Sequence, residues 1–424
     1  MLILYAGEGV FYMKRKVVIT GMGLLSPIGN SVDAFWKSLL AGRGGVGPIT
    51  YFDTEPFDVK IAAELKDFDP YEFIDKKEAR RLDPFARYAL IASQFAVEDA
   101  GIDFTKVDLD RCGVITGSGI GGMDTFEREY KSLFEKGPRR VSPLFIPMMI
   151  PDIAPGHISI KYGCRGHNYS TTSACASSSH AIGNAMSVIQ SGIADVMITG
   201  GSEAAITRMG VAGFSNMKAL STRNDDPATA SRPFDAGRDG FVVGEGAGIL
   251  ILESEEHAQR RNARIHAELI GSGYSGDAYH ITAPAPGGYG AVRAMQTAIA
   301  DAGLDAKDVD YINAHGTSTP HNDKTETEAI KTVFGERAKD IPISSTKSMI
   351  GHLLGASGAV EMIATVKILQ EGVIHPTVNQ IESDPECDLN YTPNEPVEKE
   401  VNIAISNSFG FGGHNVCLAV KRYV

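Results

Sequence analysis

The sequence predicts an α/β fold with buried sheets, because short β-branched segments alternate with longer helical segments along the chain. No low-complexity tract and no long linker interrupts this alternation. The 424 residues are enough for two or three domains or for one large fused fold. The predicted strands are 17–20, 112–116, 195–199, 247–252, 310–313 and 402–406. The predicted helices include 86–100, 178–190, 290–302 and 356–370.

A division is predicted near residues 260–264, where a charged segment precedes a new strand at 265–270. That strand leads into Gly-Ser-Gly at 271–273, and the first strand leads into Gly-Met-Gly at 21–23. This likeness indicates that the two halves are structural duplicates. We therefore divide the chain into an N-terminal extension at 1–13, an N-terminal half at 14–264 and a C-terminal half at 265–424.

Composition excludes several classes of protein. The chain is 43% apolar and 22% charged, as ordinary soluble globular proteins are. No run of 18 apolar residues exists, so we expect no transmembrane helix. The first twelve residues, MLILYAGEGVFY, lack a basic n-region and a clear cleavage site, so we interpret them as an extension rather than a signal peptide.

Charge and cysteine usage narrow the class further. The net charge of −12 argues against non-specific binding of nucleic acid. The five cysteines are scattered, and none forms a CxxC pair, so neither a zinc site nor a disulfide framework is indicated. A reducing cytoplasm fits this pattern best.

A G-x-G-x-x-G match at residues 117–122 follows a predicted strand and imitates a dinucleotide-binding fingerprint. That fingerprint also needs an opening helix and an acidic residue about 20 residues further on. Residues 142–147 read SPLFIP and supply no such acid. We therefore interpret the match as a tight turn in which glycine lets the backbone approach other backbone or a ligand.

Cys175 is the candidate nucleophile. It lies in TSACASSS at 172–179, between a strand-like segment at 169–172 and a helical one at 176–188. The N–H groups and dipole at a helix start are expected to lower the pKa of a thiol. The small neighbours leave room for a substrate. A buried structural cysteine is the alternative on local sequence alone.

Two histidines stand in comparable motifs. His315 lies in NAHGTST at 313–319, after a predicted strand, and His352 lies in KSMIGHLLG at 347–355, before a predicted helix. A thiol with two distant imidazoles suggests nucleophilic acyl chemistry. Taken singly, each histidine is better explained as a surface or core residue. Lys347 would need a partner if it were buried, and Glu361 is either that partner or a surface acid.

The fourth motif is NSFGFGGHN at 407–415, between strand-like segments at 402–406 and 416–420. Glycine lets such a loop approach a ligand and point N–H groups at it, as in an oxyanion hole. A hairpin loop with aromatic plugs is the alternative, and it does not exclude this role.

Three further segments follow in the sequence: RPFD at 232–235, RDGF at 238–241 and GEG at 244–246. Together with the four motifs above, they resemble the β-ketoacyl-acyl-carrier-protein synthases, the elongating condensing enzymes of bacterial fatty-acid synthesis. The resemblance covers residue 14 to the C-terminus, with the motifs in the family's order. His352 matters most, because initiating synthases and chalcone synthases pair Cys and His with Asn. Ser173 and His414 depart from the family, in which threonine is common at both positions.

The resemblance implies a thiolase-like fold, in which two duplicated halves stack as α-β-α-β-α layers, and a homodimer. It implies a decarboxylative Claisen condensation in which acyl-carrier protein acylates Cys175 and malonyl-carrier protein then supplies two carbons. No cofactor and no metal are expected, because the substrates carry their own phosphopantetheine. Binding to membranes or to nucleic acid is not expected.

The resemblance also implies the roles of single residues. The N–H groups of Cys175 and Phe411 would form the oxyanion hole, with Phe411 and Phe409 in the gating loop. His315 and His352 would stabilise the enolate, and Lys347 would orient His352. The remaining assignments are the phosphopantetheine contacts Thr317 and Thr319, the acyl-pocket residues Ile120, Phe145 (reaching across the dimer), Phe214 and Leu354, and the carrier-protein docking residues Lys77, Arg80 and Arg81.

Three alternatives remain open at this point. A synthase I type prefers unsaturated chains, and Ile120 favours the synthase II type over it. A non-catalytic chain-length-factor subunit would lack the nucleophile Cys175. A coenzyme A-dependent thiolase would need a second catalytic cysteine near the C-terminus, and Cys417 lies inside a strand-like segment.

Overall fold

The structure is a computed structural model that describes residues 3–6, 9–12 and 14–424. Its strands are β1 (Ile3–Ala6), β2 (Gly9–Tyr12), β3 (Val17–Leu25), β4 (Gly47–Pro48), β5 (Ile61–Ala62), β6 (Cys112–Gly117), β7 (Asn168–Thr171), β8 (Val196–Glu203), β9 (Gly246–Ser254), β10 (Ala267–Gly276), β11 (Tyr311–Asn313), β12 (Ile343–Ser344), β13 (Val373–Ile374), β14 (Val397–Glu398), β15 (Ile403–Gly410) and β16 (His414–Arg422).

The helices begin and end at these residues: α1 (Val32–Leu40), α2 (Lys76–Ala79), α3 (Pro84–Ala100), α4 (Met123–Lys136), α5 (Phe145–Met149), α6 (Ile153–Tyr162), α7 (Ser177–Gln190), α8 (Arg208–Asn216), α9 (Glu255–Arg260), α10 (Tyr289–Asp301), α11 (Pro320–Phe334), α12 (Lys347–Ile350) and α13 (Ser357–Glu371). The predicted alternation of strands and helices is confirmed. The expected extension at 1–13 lies partly outside the described residues, and within it β1 and β2 pair antiparallel. The boundary at 264/265 stays a prediction.

Ten strands form one mixed sheet in the order β12-β11-β15-β16-β10-β3-β9-β8-β6-β7. Read outwards from the centre, the N-terminal half gives β3-β9-β8-β6-β7 and the C-terminal half gives β10-β16-β15-β11-β12. In both halves the two inner pairings are antiparallel and the two outer pairings are parallel. The predicted duplication is therefore visible as one topology used twice.

The two Gly-x-Gly segments have the same packing role, one in each half. A Cβ on Gly23 would lie 2.2 Å from the carbonyl oxygen of Ala92 in α3. A Cβ on Gly273 would lie 2.0 Å from the carbonyl oxygen of Ala294 in α10. Both strands also shift register just before the segment. The glycines thus let one helix in each half approach the sheet backbone closely.

Successive strand residues face different helical layers, as the two-residue period of a strand requires. Met197 of β8 packs in a central cluster with α7 and α13. The next residue, Ile198, packs with α3 and α6 on the other side of the same strand. In the second half, Ile405 of β15 packs with α10 and α11. Ala404 of β15 belongs to the central cluster with Met197, so the two halves of the sheet lie on either side of α7 and α13. The layers therefore run α-β-α-β-α, as expected.

The central helices carry the chemistry-bearing residues at their N-terminal ends. A 3-10 turn at Ala174–Ala176 precedes α7, and a second at Leu354–Ala356 precedes α13. Cys175 lies in the first turn and His352 just before the second. Among the described residues, no helix combines the length and apolar character that a membrane span requires.

Candidate active site

Cys175 lies at the junction of β7 and α7, as predicted. The chain turns sharply there, and the preceding residue, Ala174, has a left-handed φ of 50°. Such a backbone conformation is strained for a residue with a Cβ and often marks functional sites. Cys175 is only 6% exposed. Its thiol is therefore presented to an internal cavity rather than to the bulk solvent.

Cys175, His315 and His352 come together around this cavity. The sulfur and one ring nitrogen of each histidine all lie within 4.8 Å of one another. The two imidazole rings are nearly perpendicular, with centroids 5.4 Å apart. The cavity measures about 440 Å³ and is also lined by Phe409 and Phe411. Three residues that are distant in the sequence thus form one constellation.

The tautomer of His352 follows from its hydrogen bonds. The backbone N–H of Leu354 donates to Nδ1 of His352 at 3.3 Å, and the Ser357 hydroxyl lies 2.9 Å from the same nitrogen. Nδ1 therefore carries the lone pair, and the ring hydrogen is on Nε2. Nε2 is buried and has no hydrogen-bond partner. A substrate oxygen is the partner that this arrangement lacks.

His315 is held through its backbone. Its N–H donates to Oε1 of Glu326 in α11 at 2.8 Å, and the N–H of Gly316 donates to Oε2 at 2.8 Å. Burial lowers the pKa of the His315 ring well below its usual value, and the positive charge of Lys347 acts in the same direction. The pKa of His352 is lowered for the same two reasons. Both imidazoles are therefore neutral near pH 7.

A Cys and two His this close have the donor set of a zinc site. The described geometry does not fit that use. A zinc ligand must offer a lone pair, and the nitrogen of His352 left without a protein partner, Nε2, carries the hydrogen. The arrangement instead offers an N–H donor beside a thiol.

One expectation about Cys175 was wrong. The helix start was expected to lower the pKa of the thiol, but burial raises it to about 11. Lys347 and the N–H groups of Phe411 and of Cys175 itself oppose this effect, while the nearby charge of Glu203 adds to it. Burial also raises the pKa of Cys112, Cys164 and Cys387 to about 12, and that of Cys417 further still. Of the five cysteines, all of which lie in the described part of the chain, Cys175 is the one that lines the active-site cavity, and the charge of Lys347 favours its ionisation.

Lys347 is buried and paired, so Glu361 is its partner and not a surface acid. Their exposures are 1% and 0%. The pair lies between the start of α12 and the middle of α13. Its ammonium group lowers the pKa of Cys175, His315 and His352. Lys347 thus acts on the site through its charge.

The glycine-rich loop is the turn between β15 and β16, as predicted. At its start, a Cβ on Gly410 would lie 2.7 Å from the carbonyl oxygen of Ser173 and 3.2 Å from the nitrogen of Cys175. Only glycine allows this approach. The loop thereby brings the Phe411 N–H into hydrogen-bond range of the Cys175 sulfur, where it lowers the thiol pKa. Phe409 packs against the His315 ring, with centroids 5.7 Å apart.

Comparison with known families agrees with this constellation. A family model described as beta-ketoacyl synthase, N-terminal domain, matches residues 14–258. Another, described as beta-ketoacyl synthase, C-terminal domain, matches residues 266–380. The chain belongs to the beta-ketoacyl synthase family.

Similar proteins match nearly the whole length of this chain. The 3-oxoacyl-[acyl-carrier-protein] synthase 2 of Staphylococcus aureus (strain COL) is 56% identical over 409 residues, which is 96% of this chain and 99% of that protein. The protein of the same name from Synechocystis sp. is 52% identical over 410 residues, which is 97% of this chain and 99% of that protein. The family expected from the motifs is confirmed.

Solved structures share the fold. A beta-ketoacyl synthase from Burkholderia phymatum has a TM-score of 0.90 at 39% identity, and the ishigamide ketosynthase/chain length factor has 0.91 at 36%. A type II PKS acyl-carrier protein in complex with its ketosynthase gives 0.91 at 33%. Each comparison covers 97% of this chain and 100% of the other. The expected thiolase-like fold is confirmed.

Three of the four predicted acyl-pocket residues lie with the nucleophile. Ile120, Phe214 and Leu354 belong to the same apolar cluster as Cys175. Phe145 does not belong to it. Phe145 lies at the start of α5, where its ring is 6.4 Å from that of Phe126 on α4. Within one chain, the pocket is therefore formed without Phe145.

The predicted phosphopantetheine contacts lie in the wall of the cavity. Thr317 and Thr319 both line it, and their hydroxyl oxygens are 2.9 Å apart. The predicted docking residues Lys77, Arg80 and Arg81 are exposed on and just after α2 and are not among the residues that line the cavity. The roles expected for these two groups of residues stay predictions.

The G-x-G-x-x-G segment is a structural turn, as interpreted. The N–H groups of Gly119 and Ile120 donate to the carboxylate of Glu203, at 2.7 and 3.3 Å, where a nucleotide site would place phosphate. Sequence reasoning missed Glu203 and Glu326. The one available signal for Glu203 was an acid at the end of an otherwise uncharged strand, MITGGSE.

Proposed function

We propose that this chain is an elongating 3-oxoacyl-[acyl-carrier-protein] synthase of the synthase 2 type, which condenses an acyl chain on Cys175 with malonyl-carrier protein. The observation that carries the proposal is the placement of one thiol and two neutral imidazoles within 4.8 Å in one cavity. The similar proteins that bear this name support it. The reaction lengthens the acyl chain by two carbons.

The first half-reaction is acyl transfer. The sulfur of Cys175 attacks the carbonyl carbon of acyl-carrier protein, forms the thioester and releases the carrier thiol. The N–H groups of Cys175 and Phe411 stabilise the oxyanion that forms, and one such donor contributes about 3 kcal/mol to transition-state stabilisation. The thiol proton of Cys175 passes to the sulfur of the departing carrier, so that the carrier leaves as a thiol.

The second half-reaction is decarboxylation and condensation. Malonyl-carrier protein loses carbon dioxide, and negative charge develops on its thioester oxygen as an enolate. The Nε2–H of His352 and the neutral ring of His315 donate to that oxygen. The carbanion carbon then attacks the acyl-Cys175 carbonyl, the C–S bond breaks, and the 3-ketoacyl product leaves on the carrier. No cofactor is required, since decarboxylation itself supplies the electron pair.

Lys347 has a positioning role in this scheme. Because its ammonium group is paired with Glu361, it is not a free base. Burial, and after it the charge of Lys347, keeps His315 and His352 neutral, so that both remain hydrogen-bond donors without gaining a proton. The acyl chain lies in a pocket lined by Ile120, Phe214 and Leu354. The phosphopantetheine arm is bound by Thr317 and Thr319.

The proposed assembly is a homodimer formed along β7. This strand is one edge of the large sheet, and its four residues are exposed or half-exposed. The helices α4, α5 and α6 continue the surface from β7, and they carry exposed apolar side chains: Phe126, Tyr130, Leu133, Phe134 and Ile146. A second copy would pair the open strand edge and cover these side chains. Phe145 would then face the partner's pocket.

The nucleophile distinguishes the proposed function from the alternative functions. A chain-length-factor role has no use for a thiol placed beside two imidazoles. A thiolase would need a second cysteine in the cavity. Cys417 is fully buried within β16 and does not line the cavity. The synthase I type differs in chain preference, and Ile120 in the pocket favours the synthase 2 type. All five cysteines are free thiols, which suits the cytoplasm as the proposed compartment.

The decisive experiment uses malonyl-carrier protein labelled with carbon-14 and enzyme primed with an acyl chain. We expect a labelled 3-ketoacyl-carrier protein and one carbon dioxide per turnover. A thiolase would act instead on coenzyme A thioesters without releasing carbon dioxide, and a chain-length factor would give no product alone. Parallel assays with saturated and unsaturated primers separate the two synthase types.

A further inference from the structure

Glu203, the last residue of β8, is a buried carboxylate with a complete set of donors. Its Oε2 accepts from the N–H of Gly119 at 2.7 Å and from the N–H of Gly355 at 3.0 Å. Its Oε1 accepts from the hydroxyl of Ser118 at 2.9 Å and from the N–H of Ile120 at 3.3 Å. The side chain has no solvent exposure. It therefore connects two loops that are separate in the sequence.

The two loops meet closely around this carboxylate. A Cβ on Gly355 would lie 2.2 Å from the nitrogen of Gly119 and 2.6 Å from Oε2 of Glu203. A Cβ on Gly119 would lie 2.9 Å from the same oxygen. Loops with side chains at these positions could not share the carboxylate. The glycines and Glu203 thus form one interlocked unit.

The loops carry different parts of the active site. The first loop carries Ile120, which packs in the apolar cluster with Cys175 and Leu354. The second loop carries Leu354 itself and follows directly on His352, whose Nδ1 accepts from the Leu354 N–H. A shift of one loop against the other would change the acyl pocket and the orientation of His352 together.

We propose that Glu203 is a positioning residue that fixes the acyl-pocket loop against the His352 loop, and so sets the range of acyl chains accepted and the geometry of decarboxylation. The inference rests on the proposed function of the site. Burial raises the pKa of Glu203, and the four donors that hold the carboxylate oppose that shift and favour the anion. The anion in turn disfavours the thiolate of Cys175, which is a second, separable contribution. Glu203 does not itself touch the reacting atoms.

Two substitutions of Glu203 separate the effect of its side-chain length from the effect of its charge. Glu203→Gln keeps the length of the side chain but replaces one acceptor oxygen by an NH₂ group, which cannot accept from buried N–H groups. Glu203→Asp keeps the charge but is shorter by one methylene group. We expect both variants to change the ratio of kcat/KM between long and short acyl primers by about tenfold, since the pocket loop is released in both.

The pH dependence of Cys175 alkylation distinguishes the two variants. Loss of the negative charge in Glu203→Gln should move the alkylation profile of Cys175 to lower pH, because a neighbouring anion disfavours the thiolate. Glu203→Asp should leave this profile near that of the parent protein. A residue that merely supports folding would move neither the chain-length ratio nor the profile.

The matched control is Glu253→Gln, which alters another fully buried carboxylate, on the neighbouring strand β9. Glu253 accepts from Thr20 and Arg261 and is not among the residues that line the active-site cavity. We expect it to lose stability without a change in chain-length ratio. Ser118→Ala removes a single donor to Glu203, and we expect it to change the ratio about threefold in a folded protein.

Unchanged chain-length ratios and alkylation profile in a folded Glu203→Gln protein would overturn the inference. If Glu203→Gln does not fold, Ser118→Ala decides, and a ratio equal to that of the parent protein would overturn it as well. Failure of the parent protein to condense acyl and malonyl substrates would instead contradict the proposed function. The two failures are therefore distinguishable.

Discussion

Lys347 and Glu361 form an ion pair that is sealed from solvent, with side-chain exposures of 1% and 0%. Burial raises the pKa of Glu361, and the ammonium group of Lys347 opposes that shift. Oε2 of Glu361 is buried without a hydrogen-bond partner. Removal of either side chain would therefore leave its partner buried without a counter-charge.

Removal of one partner should be costly, because it leaves an uncompensated buried charge. We expect Lys347→Met to lower the free energy of unfolding by about 3–5 kcal/mol, and the double variant Lys347→Met/Glu361→Gln to lose distinctly less. Urea titration followed by circular dichroism measures both. The control is Lys367→Met, whose partner Glu371 is 46% exposed, and there we expect about 1 kcal/mol or less. Equal losses for the single and double variants would contradict the coupling.

The histidine donors give a second prediction. His315→Ala and His352→Ala should each lower malonyl decarboxylation by about 10²-fold or more, because each removes a donor to the enolate oxygen. Each should retain more of its acyl transfer, which depends on the thiol and the oxyanion hole. The two half-reactions are measured separately with labelled malonyl and labelled acyl carriers. Equal loss in both half-reactions would refute the division of roles.

The pH dependence of decarboxylation tests the neutral state of the same histidines. Their pKa values are lowered well below 6.5 by burial and by Lys347. They therefore stay unprotonated as the pH rises through the usual histidine range, and decarboxylation should show no loss between about pH 6 and 8. A catalytic imidazolium would instead lose activity as the pH rises through that range.

The third prediction concerns the thiols. Cys175 should react fastest with iodoacetamide, because it is the one of the five cysteines that lines the active-site cavity and the charge of Lys347 favours its thiolate. Mass spectrometry of the alkylated protein identifies the site, and acyl substrate should protect it. Cys175→Ala should form no acyl-enzyme. Full condensation by this variant would overturn the mechanism.

The residues that sequence could identify are those with a strong local signal. Cys175, His315 and His352 each lie in a motif of small residues beside a predicted strand or helix, and the structure brings them together. Glu203 had no comparable signal, because its partners Gly119 and Gly355 are 84 and 152 residues away. Its carboxylate became a structural centre only when three elements packed around it.

The error in the thiol pKa has the same origin. The helix start beside Cys175 can be read locally, and the N–H of Cys175 itself does lower the pKa of its thiol. The burial that outweighs this effect depends on the loops of Phe411 and Leu354, which come from the other half of the chain. The position of Phe145 beside Phe126 depends on how α4 and α5 pack, and its predicted reach across the dimer stays a prediction.

The fourth prediction tests carrier docking. Carrier proteins are acidic, and Lys77, Arg80 and Arg81 are exposed near α2. A triple charge reversal to Glu should raise the KM for carrier-protein substrates, with an effect that weakens as salt increases. Activity on acyl-pantetheine mimics should barely change. Reversal of three other exposed lysines, Lys106, Lys307 and Lys339, is the matched control with the same change in net charge. Equal effects on both substrates would make the cluster structural.

The last prediction concerns Phe411, whose ring and backbone have separable roles. Its N–H serves the oxyanion hole, while its half-buried ring lines the cavity. The two following residues, Gly412 and Gly413, have φ values of 84° and 71°, so the turn uses conformations that glycine adopts without strain. A ring on such a turn can close over the empty pocket and swing aside once Cys175 is acylated, which would enforce acyl binding before malonyl binding.

Phe411→Ala should therefore keep the backbone donor and remove the gate. We expect residual acylation of Cys175, weaker condensation, and poorer discrimination between acyl and malonyl substrates, measured by competition between the two labelled carriers. Phe409→Ala is the neighbouring control, because that ring packs against His315 and should affect decarboxylation without changing substrate order. A ring that only packs the loop would lose stability with substrate order unchanged. A structure of the acyl-Cys175 form in which Phe411 has not moved would count against the gate while leaving its N–H in the oxyanion hole.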